Sequence, residues 1–229
     1  MLPSNYSSTQ DTFVKYQNIS VKDFAGLLMG NSFVETDDIF SSLYHLSNFT
    51  VQNANATDQY ILFNFKSASD IVILDSFFEN ITNVITFLNI NNVQNFTMKN
   101  TKISGIKAYQ FEEIDSLYNL METSLTGSCI MLADSHLYLI NTNFSLLDYN
   151  CFSFNQANFT FKDVVVDYEG SILSPLPAFI NTEAVGPMMT LHNVLYGEIS
   201  NSFFLNNNQY LSQQGSVISL YVIKLFIHY

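Results

Sequence analysis

Asp75-Ser76-Phe77-Phe78 returns as Asn201-Ser202-Phe203-Phe204 and, with one change, as Asn31-Ser32-Phe33-Val34. With the first residue of each as an anchor, the pattern extends to Asn31, Asn53, Asp75, Asn100, Glu122, Asn141, Asp163, Asn181 and Asn201. The spacings are 22, 22, 25, 22, 19, 22, 18 and 20 residues. Two positions before each anchor the side chain is apolar, from Met29 and Val51 through Leu139 and Phe161 to Ile199. Three positions after it the same holds, as in Val34, Phe78, Ile103, Phe144 and Phe204. A fixed period of this length marks a repeat architecture.

The segments entering the anchors, such as Ile71-x-Ile73, Phe96-x-Met98 and Phe159-x-Phe161, alternate with period two and are rich in strand formers. The anchor is Asn or Asp in all but one case, and these residues tolerate left-handed backbone angles, which suits a tight corner after a strand. A second short strand precedes several units: Ile61-x-Phe63-x-Phe65, Ile130-x-Leu132 and Phe152-x-Phe154. A unit of about 21 residues made only of short strands cannot bury its apolar face alone. Coiling solves this, with each turn stacked on the last at the ~4.7–4.9 Å strand separation. The expectation is an all-β chain of about 9–10 coils over residues 17–229, behind a polar segment 1–16 and truncated at its C-terminal end. The acidic anchors Asp75, Glu122 and Asp163 are separated by Asn-bearing anchors, which avoids stacked carboxylates and favours an asparagine hydrogen-bond ladder.

Period, anchors and ladder resemble the right-handed parallel β-helix superfamily, the pectin-lyase-like fold. Phe203-x-x-Asn206 followed by Gly215-Ser216-Val217-Ile218 is also similar to the Phe-x-x-Asn and Gly-Gly-Ala-Ile repeats of bacterial polymorphic outer-membrane proteins, with Ser in place of a second Gly. Similar repeats occur in surface proteins of ciliates and other protists. The resemblance implies a solenoid scaffold, and its motifs are architectural, so they imply no particular activity.

Composition narrows the function classes. Lys plus Arg total 8 against 20 Asp plus Glu, for a net charge of −12, and every basic residue is lysine. Neutralising phosphates needs clustered Lys and Arg, so a nucleic-acid partner is excluded. Aromatic content, with 21 Phe and 13 Tyr, excludes intrinsic disorder. The opening Met1–Ser8 has neither the basic nor the apolar region of a signal peptide. The apolar stretch Val217–Tyr229 is shorter than the ~20 residues a membrane-spanning helix needs.

Eight Asn-x-Ser/Thr sequons begin at Asn5, Asn18, Asn48, Asn55, Asn80, Asn95, Asn143 and Asn158, and point to an extracellular or cell-surface location, with any membrane anchor outside this chain. Asn48, Asn95 and Asn158 each lie five residues before an anchor and are candidate N-glycosylation sites on an outward strand face. Glycans and other surface proteins are the candidate partners.

Catalytic and metal chemistry is weakly signalled. Pectin-degrading members of the resembled superfamily carry Asn-Thr-Asp, Asp-Asp, Gly-His-Gly and Arg-Ile-Lys motifs, or a calcium-binding Asp cluster with a basic residue. Here Asp37-Asp38 is the only Asp-Asp pair, Gly-His-Gly and Arg-Ile-Lys are absent, and no arginine exists to stabilise an anionic intermediate. Glu112-Glu113-x-Asp115 has calcium-type ligands without the glycine-punctuated spacing of a known loop, and reads as a solvated face. His45, His136, His192 and His228 stand alone in sequence and read as surface or corner residues. Cys129 and Cys151 lie one period apart and are expected to stack; parallel side chains suit a disulfide poorly, so free thiols are preferred to a bridge. Outward positions are polar at Thr50/Gln52, Thr97/Lys99, Thr160/Lys162 and Glu198/Ser200 but apolar at Val72/Leu74, Tyr138/Ile140 and Ala178/Ile180, which are either covered by loops or form a partner patch. The expected function is a non-enzymatic structural, adhesion or recognition scaffold without cofactor, catalytic or metal residues. The alternatives are a carbohydrate-active lyase or hydrolase of the same fold, and a carbohydrate-binding module without turnover.

Overall fold

The computed structural model describes residues 12–25, 29–31, 42–55, 61–84, 86–108, 128–147, 151–167, 189–205 and 218–221. Within them the chain is all β. The strands are β1 (Thr12–Lys22), β2 (Met29–Asn31), β3 (Ser42–Asn55), β4 (Ile61–Leu74), β5 (Phe77–Val84), β6 (Thr86–Ala108), β7 (Ser128–Ala133) and β8 (His136–Leu147). They continue with β9 (Phe152–Asn155), β10 (Asn158–Lys162), β11 (Val165–Asp167), β12 (Met189–His192), β13 (Tyr196–Ser200), β14 (Phe203–Leu205) and β15 (Ile218–Tyr221). Every strand pair is parallel. β1 begins at Thr12 and so crosses the boundary that the sequence pattern sets at residue 17.

Long strands survive because single left-handed residues turn the chain without ending the ladder. Asn and Asp dominate these positions, since a short polar side chain lowers the cost of a positive φ. One column of corners runs Asn18, Asn48, Asp75, Asn100, Asn141, Asp163, Asn201, with φ between 48° and 56° throughout. A second runs Asp23, Asn53, Asn80, Gly105, Leu146, and a third Ser67, Asn92, Asp134, Gln156, Asn193, all with positive φ. Because each long strand bends at these corners, its halves pair with different neighbours. β3 pairs with β4 and β5, and both of those pair with β6, so the four strands form a closed circuit.

Constant register stacks like on like. Leu46, Ile73, Met98, Leu139 and Phe161 form one inward column, and Phe63, Leu88, Ile130, Phe152 and Met189 another; none is more than 1% exposed. The inward aromatics pack in tilted and edge-to-face pairs, with Phe63 to Phe87 at 5.4 Å, Phe78 to Phe87 at 5.2 Å and Phe152 to Phe161 at 5.0 Å. Each buried Phe contributes roughly 1.5–3 kcal/mol by area alone, so the core carries the fold.

Register also corrects the spacing read from sequence. Asn141 Nδ2 donates directly to Asn100 Oδ1 at 2.9 Å although 41 positions separate them, so no strand bearing Glu122 lies between. Asp163 N likewise donates to Ser200 O at 3.1 Å, so none bearing Asn181 lies between Asp163 and Asn201. The even period of about 21 residues therefore fails at these two places, where more chain is spent between neighbouring layers. Asn53 occupies the second corner column rather than that of Asp75, and Asn31 pairs with Phe65 within a strand stack instead of turning a corner in either. Glu122 and Asn181 themselves lie outside the described residues.

Candidate functional site

The corner ladders set the surface. Asn48 Nδ2 donates to Asn18 Oδ1 at 2.9 Å, Asn100 Nδ2 to Asp75 Oδ1 at 2.9 Å, and Asn53 Nδ2 to Asp23 Oδ1 at 3.1 Å. Where Asp is the lower member it only accepts, and Asn supplies the donor. At Asp75, Asn100, Asp134, Asn141 and Asn201 a hydroxyl residue follows the corner. Ser76 Oγ donates to Leu74 O at 2.7 Å and accepts from Phe49 N at 3.3 Å. Ser135 Oγ donates to Ala133 O at 2.6 Å and accepts from Val93 N at 2.8 Å. Thr101, Thr142 and Ser202 bond the carbonyl two residues back in the same way. These hydroxyls satisfy backbone groups that a corner would otherwise strand in the interior. Asp75-Ser76, Asn100-Thr101, Asp134-Ser135, Asn141-Thr142 and Asn201-Ser202 carry this pairing in the sequence.

The shared register also gathers polar and aromatic side chains on one outward face. Asn95, His136, Asn158 and Tyr196 form one column, and Thr97, Tyr138, Thr160 and Glu198 another two residues on. The His136 and Tyr138 rings stack with centroids 4.1 Å apart and planes at 16°. Tyr138 Oη lies 3.2 Å from His136 Nδ1, and His136 Nε2 lies 3.5 Å from Thr160 Oγ1. The Tyr196 ring stands 6.4 Å from His136, and its hydroxyl donates to Glu198 Oε2 at 2.5 Å. Partial burial lowers the His136 pKa, which favours neutral imidazole. The bond to Glu198 raises that of Tyr196, which keeps the phenol a donor. The result is a stacked His136–Tyr138 pair with the Tyr196 ring tilted at 59° beside it, edged by one carboxylate and several hydroxyls.

His136 is therefore not isolated, as its sequence context had implied. Its partners at 160 and 196 come from neighbouring layers, and the long interval before Tyr196 hid the last of them. His192 Nδ1 lies 3.0 Å from Asn155 Oδ1. His45 lies between Lys15 and Val72, with Nε2 shielded from solvent and without a hydrogen bond. His228, Asp37-Asp38, Glu112-Glu113-x-Asp115 and Ala178/Ile180 lie outside the described residues.

Of the three sequons, Asn95 and Asn158 share a column, whereas Asn48 is a corner residue in a different one. Asn95 Nδ2 donates to Asp70 Oδ1 at 2.9 Å, and Asn158 Oδ1 accepts from Tyr196 N at 3.0 Å. Thr50 and Gln52 lie past a corner, in stacks separate from Thr97 and Lys99. Cys129 and Cys151 are adjacent, buried and unbridged, and burial together with the Cys129 thiol pushes the Cys151 pKa well up.

Among the described residues no three His, Cys, Asp or Glu side chains come close enough to hold a metal ion, and no helix is long and apolar enough to cross a membrane. No family model and no curated protein matches the chain.

Proposed function

We propose that this chain is a right-handed parallel β-helix scaffold of the extracellular or cell-surface kind, with a structural, adhesion or recognition role and no catalytic turnover. The observation that carries this reading is the parallel pairing of strands in a shared register, shifted only past Ile81 in β5 among the described residues, around ladders of left-handed corners in which Asn and Asp predominate. It yields a rigid body whose outward columns can present side chains at fixed intervals. Right-handed winding follows from the strong handedness preference of parallel crossovers. Recognition would use the face of His136, Tyr138, Thr160, Tyr196 and Glu198, whose flat rings and hydroxyl partners suit stacking and hydrogen bonding to a glycan or a polar protein surface.

Small-angle scattering and cryo-electron microscopy test the form, with an elongated, strand-layered particle as the expected result. Glycan-array and surface-protein binding test the role, and Tyr196→Ala should remove any binding seen. Intact-mass analysis after secretion from a eukaryotic host tests glycosylation at Asn48, Asn95 and Asn158. Depolymerisation of polygalacturonate or another polysaccharide by the purified chain would overturn the non-enzymatic reading in favour of a lyase or hydrolase.

A further inference from the structure

The fold sorts the Asn-x-Ser/Thr sequons by what their side chains already do. Asn48 Nδ2 donates to Asn18 Oδ1 at 2.9 Å, and Asn80 Nδ2 donates to Asn53 Oδ1 at 3.4 Å. Asn95 Nδ2 donates to Asp70 Oδ1 at 2.9 Å, and Asn55 Oδ1 accepts from Asn83 Nδ2 at 3.0 Å. Asn158 is half-buried and accepts from Tyr196 N. Asn18, Asn48 and Asn80 are also left-handed corners. Asn5 lies outside the described residues. Asn143 differs on each count. It stands in the ordinary strand backbone of β8 and is exposed, and among the described residues its amide makes no hydrogen bond. Phe144, the middle residue of its sequon, is fully buried, so Asn143 and Ser145 share the outward face. Lys102, its register partner in the preceding layer, lies over the Phe77 ring at 5.7 Å, on the side away from Asn143.

From this placement we infer that Asn143, outside the set Asn48, Asn95 and Asn158, is an N-glycosylation site of the mature chain. The inference rests on the extracellular or cell-surface reading above, because the sugar donor belongs to the secretory route. That donor is an oligosaccharide joined to a lipid through a diphosphate. Asn143 Nδ2 bonds to C1 of the first sugar while the bond from C1 to the diphosphate oxygen breaks. The lipid diphosphate leaves, and the amide gives up one proton. Transfer meets the chain before its layers close, so the fold acts by deciding which glycosylated chains can complete their ladders. At Asn48, Asn80 and Asn95 a glycan shares Nδ2 with a bond between layers. At Asn143 it displaces nothing.

The surface beside Asn143 gives such a glycan something to cover. Its column continues through Val165 to Phe203, which is 59% exposed, and that of Ser145 continues through Asp167 to Leu205, which is 41% exposed. Two layers at the strand separation place Phe203 about 10 Å from Asn143, within reach of the first sugars. Exposed apolar groups on one face favour association, and a bulky, solubilising glycan over them opposes it.

Secretion of the full chain from a eukaryotic host behind a supplied leader tests the inference, with peptide mapping after enzymatic glycan removal in heavy-oxygen water. The Asn143 peptide is expected to carry the isotopic mark of a removed glycan. Asn143→Gln and Ser145→Ala should each lose one glycan unit from the intact mass, and Ser145→Thr should keep it. Either loss should raise the fluorescence of a hydrophobic dye, and Phe203→Ser in the same chain should reverse that rise. A folded, secreted chain with Asn143 bare overturns the inference; if Asn48, Asn95 or Asn158 then carries a glycan, the extracellular reading stands without it. A chain bare at every sequon overturns both. Dye binding indifferent to the glycan overturns the covering of Phe203 and Leu205. Circular dichroism shows whether each variant keeps its strands, and mapping of the unaltered chain decides the site independently of them.

Discussion

Asn100 is the sharpest place to test what the corners do. It sits at φ 52°, donates to Asp75 and accepts from Asn141, both at 2.9 Å, and it is exposed. Replacement by glycine removes both ladder bonds but keeps the left-handed backbone free of strain. At an exposed site water replaces part of each bond, so the loss is about 0.5 kcal/mol per bond and ~1 kcal/mol in all. Alanine loses the same bonds and adds left-handed strain of roughly 1–2 kcal/mol. That strain outweighs the ~0.4–1 kcal/mol alanine gains from a less flexible unfolded chain. The expected order of stability is Asn, then Gly, then Ala, with Ala about 0.5–1 kcal/mol below Gly. Thr97, in an ordinary stretch of the same strand, should show the opposite order, because glycine in a strand interior costs roughly 0.5–1 kcal/mol relative to alanine. Equilibrium urea unfolding reads both pairs as shifts of midpoint at constant slope. Alanine equal to or better than glycine at position 100 refutes the left-handed corner as the unit of this fold.

Leu146 occupies a corner at φ 54° with an exposed apolar side chain, so Leu146→Asn or Leu146→Gly should stabilise by about 1 kcal/mol, measured in the same urea titration. Gly105→Ala should cost more than that: an added Cβ would lie 3.0 Å from Asn80 Oδ1 and 3.3 Å from Asn80 N, on a backbone at φ 69°. Ser135→Ala strands the buried Val93 N–H at roughly 1–3 kcal/mol and removes a bond to the half-buried Ala133 carbonyl, and thermal unfolding should show it as a clear loss of stability. Burial holds the His136 pKa below its unfolded value, so the unfolded chain binds the extra proton first. Its contribution to stability is therefore present above the ordinary value of about 6.5 and is lost as pH falls through and below it; His136→Gln should flatten the slope of stability against pH in that window.

What was legible in the sequence was whatever is repeated at short range. Alternation within Phe96-x-Met98 and Phe159-x-Phe161 reports an inward strand face directly, and Asn or Asp at a strand end reports a backbone angle, because both effects act within a few residues. Layer assignment is a different kind of information. Asn100 and Asn141 are neighbours because the strands leading into them pair, and pairing does not record how much chain was spent between them. A periodic template therefore filled that interval with Glu122, and it filled the one before Asn201 with Asn181. It also placed Asn53 in the wrong one of two corner columns, since both columns favour the same residue type and sit five residues apart in the same strand, as Asn48 and Asn53 show. The outward face of His136 and Tyr138 inherited that error: its sequence-distant members Tyr196 and Glu198 align only once the long interval is skipped. The Asn/Asp-Ser/Thr dipeptide separates the columns only in part, since Ile19, Phe49 and Val164 follow Asn18, Asn48 and Asp163 in the first column, and Asp134-Ser135 carries the dipeptide in the third. The hydroxyl follows Asp75, Asn100, Asn141 and Asn201 in the first corner column, whereas Asn53 and Asn80 are followed by Ala54 and Ile81, which are buried. At those four first-column corners a hydroxyl meets the carbonyl two residues back, whereas Phe49 and Val164 put buried apolar side chains at the same place in that column. A corner residue marks where the chain turns, and strand pairing alone decides which column that corner joins.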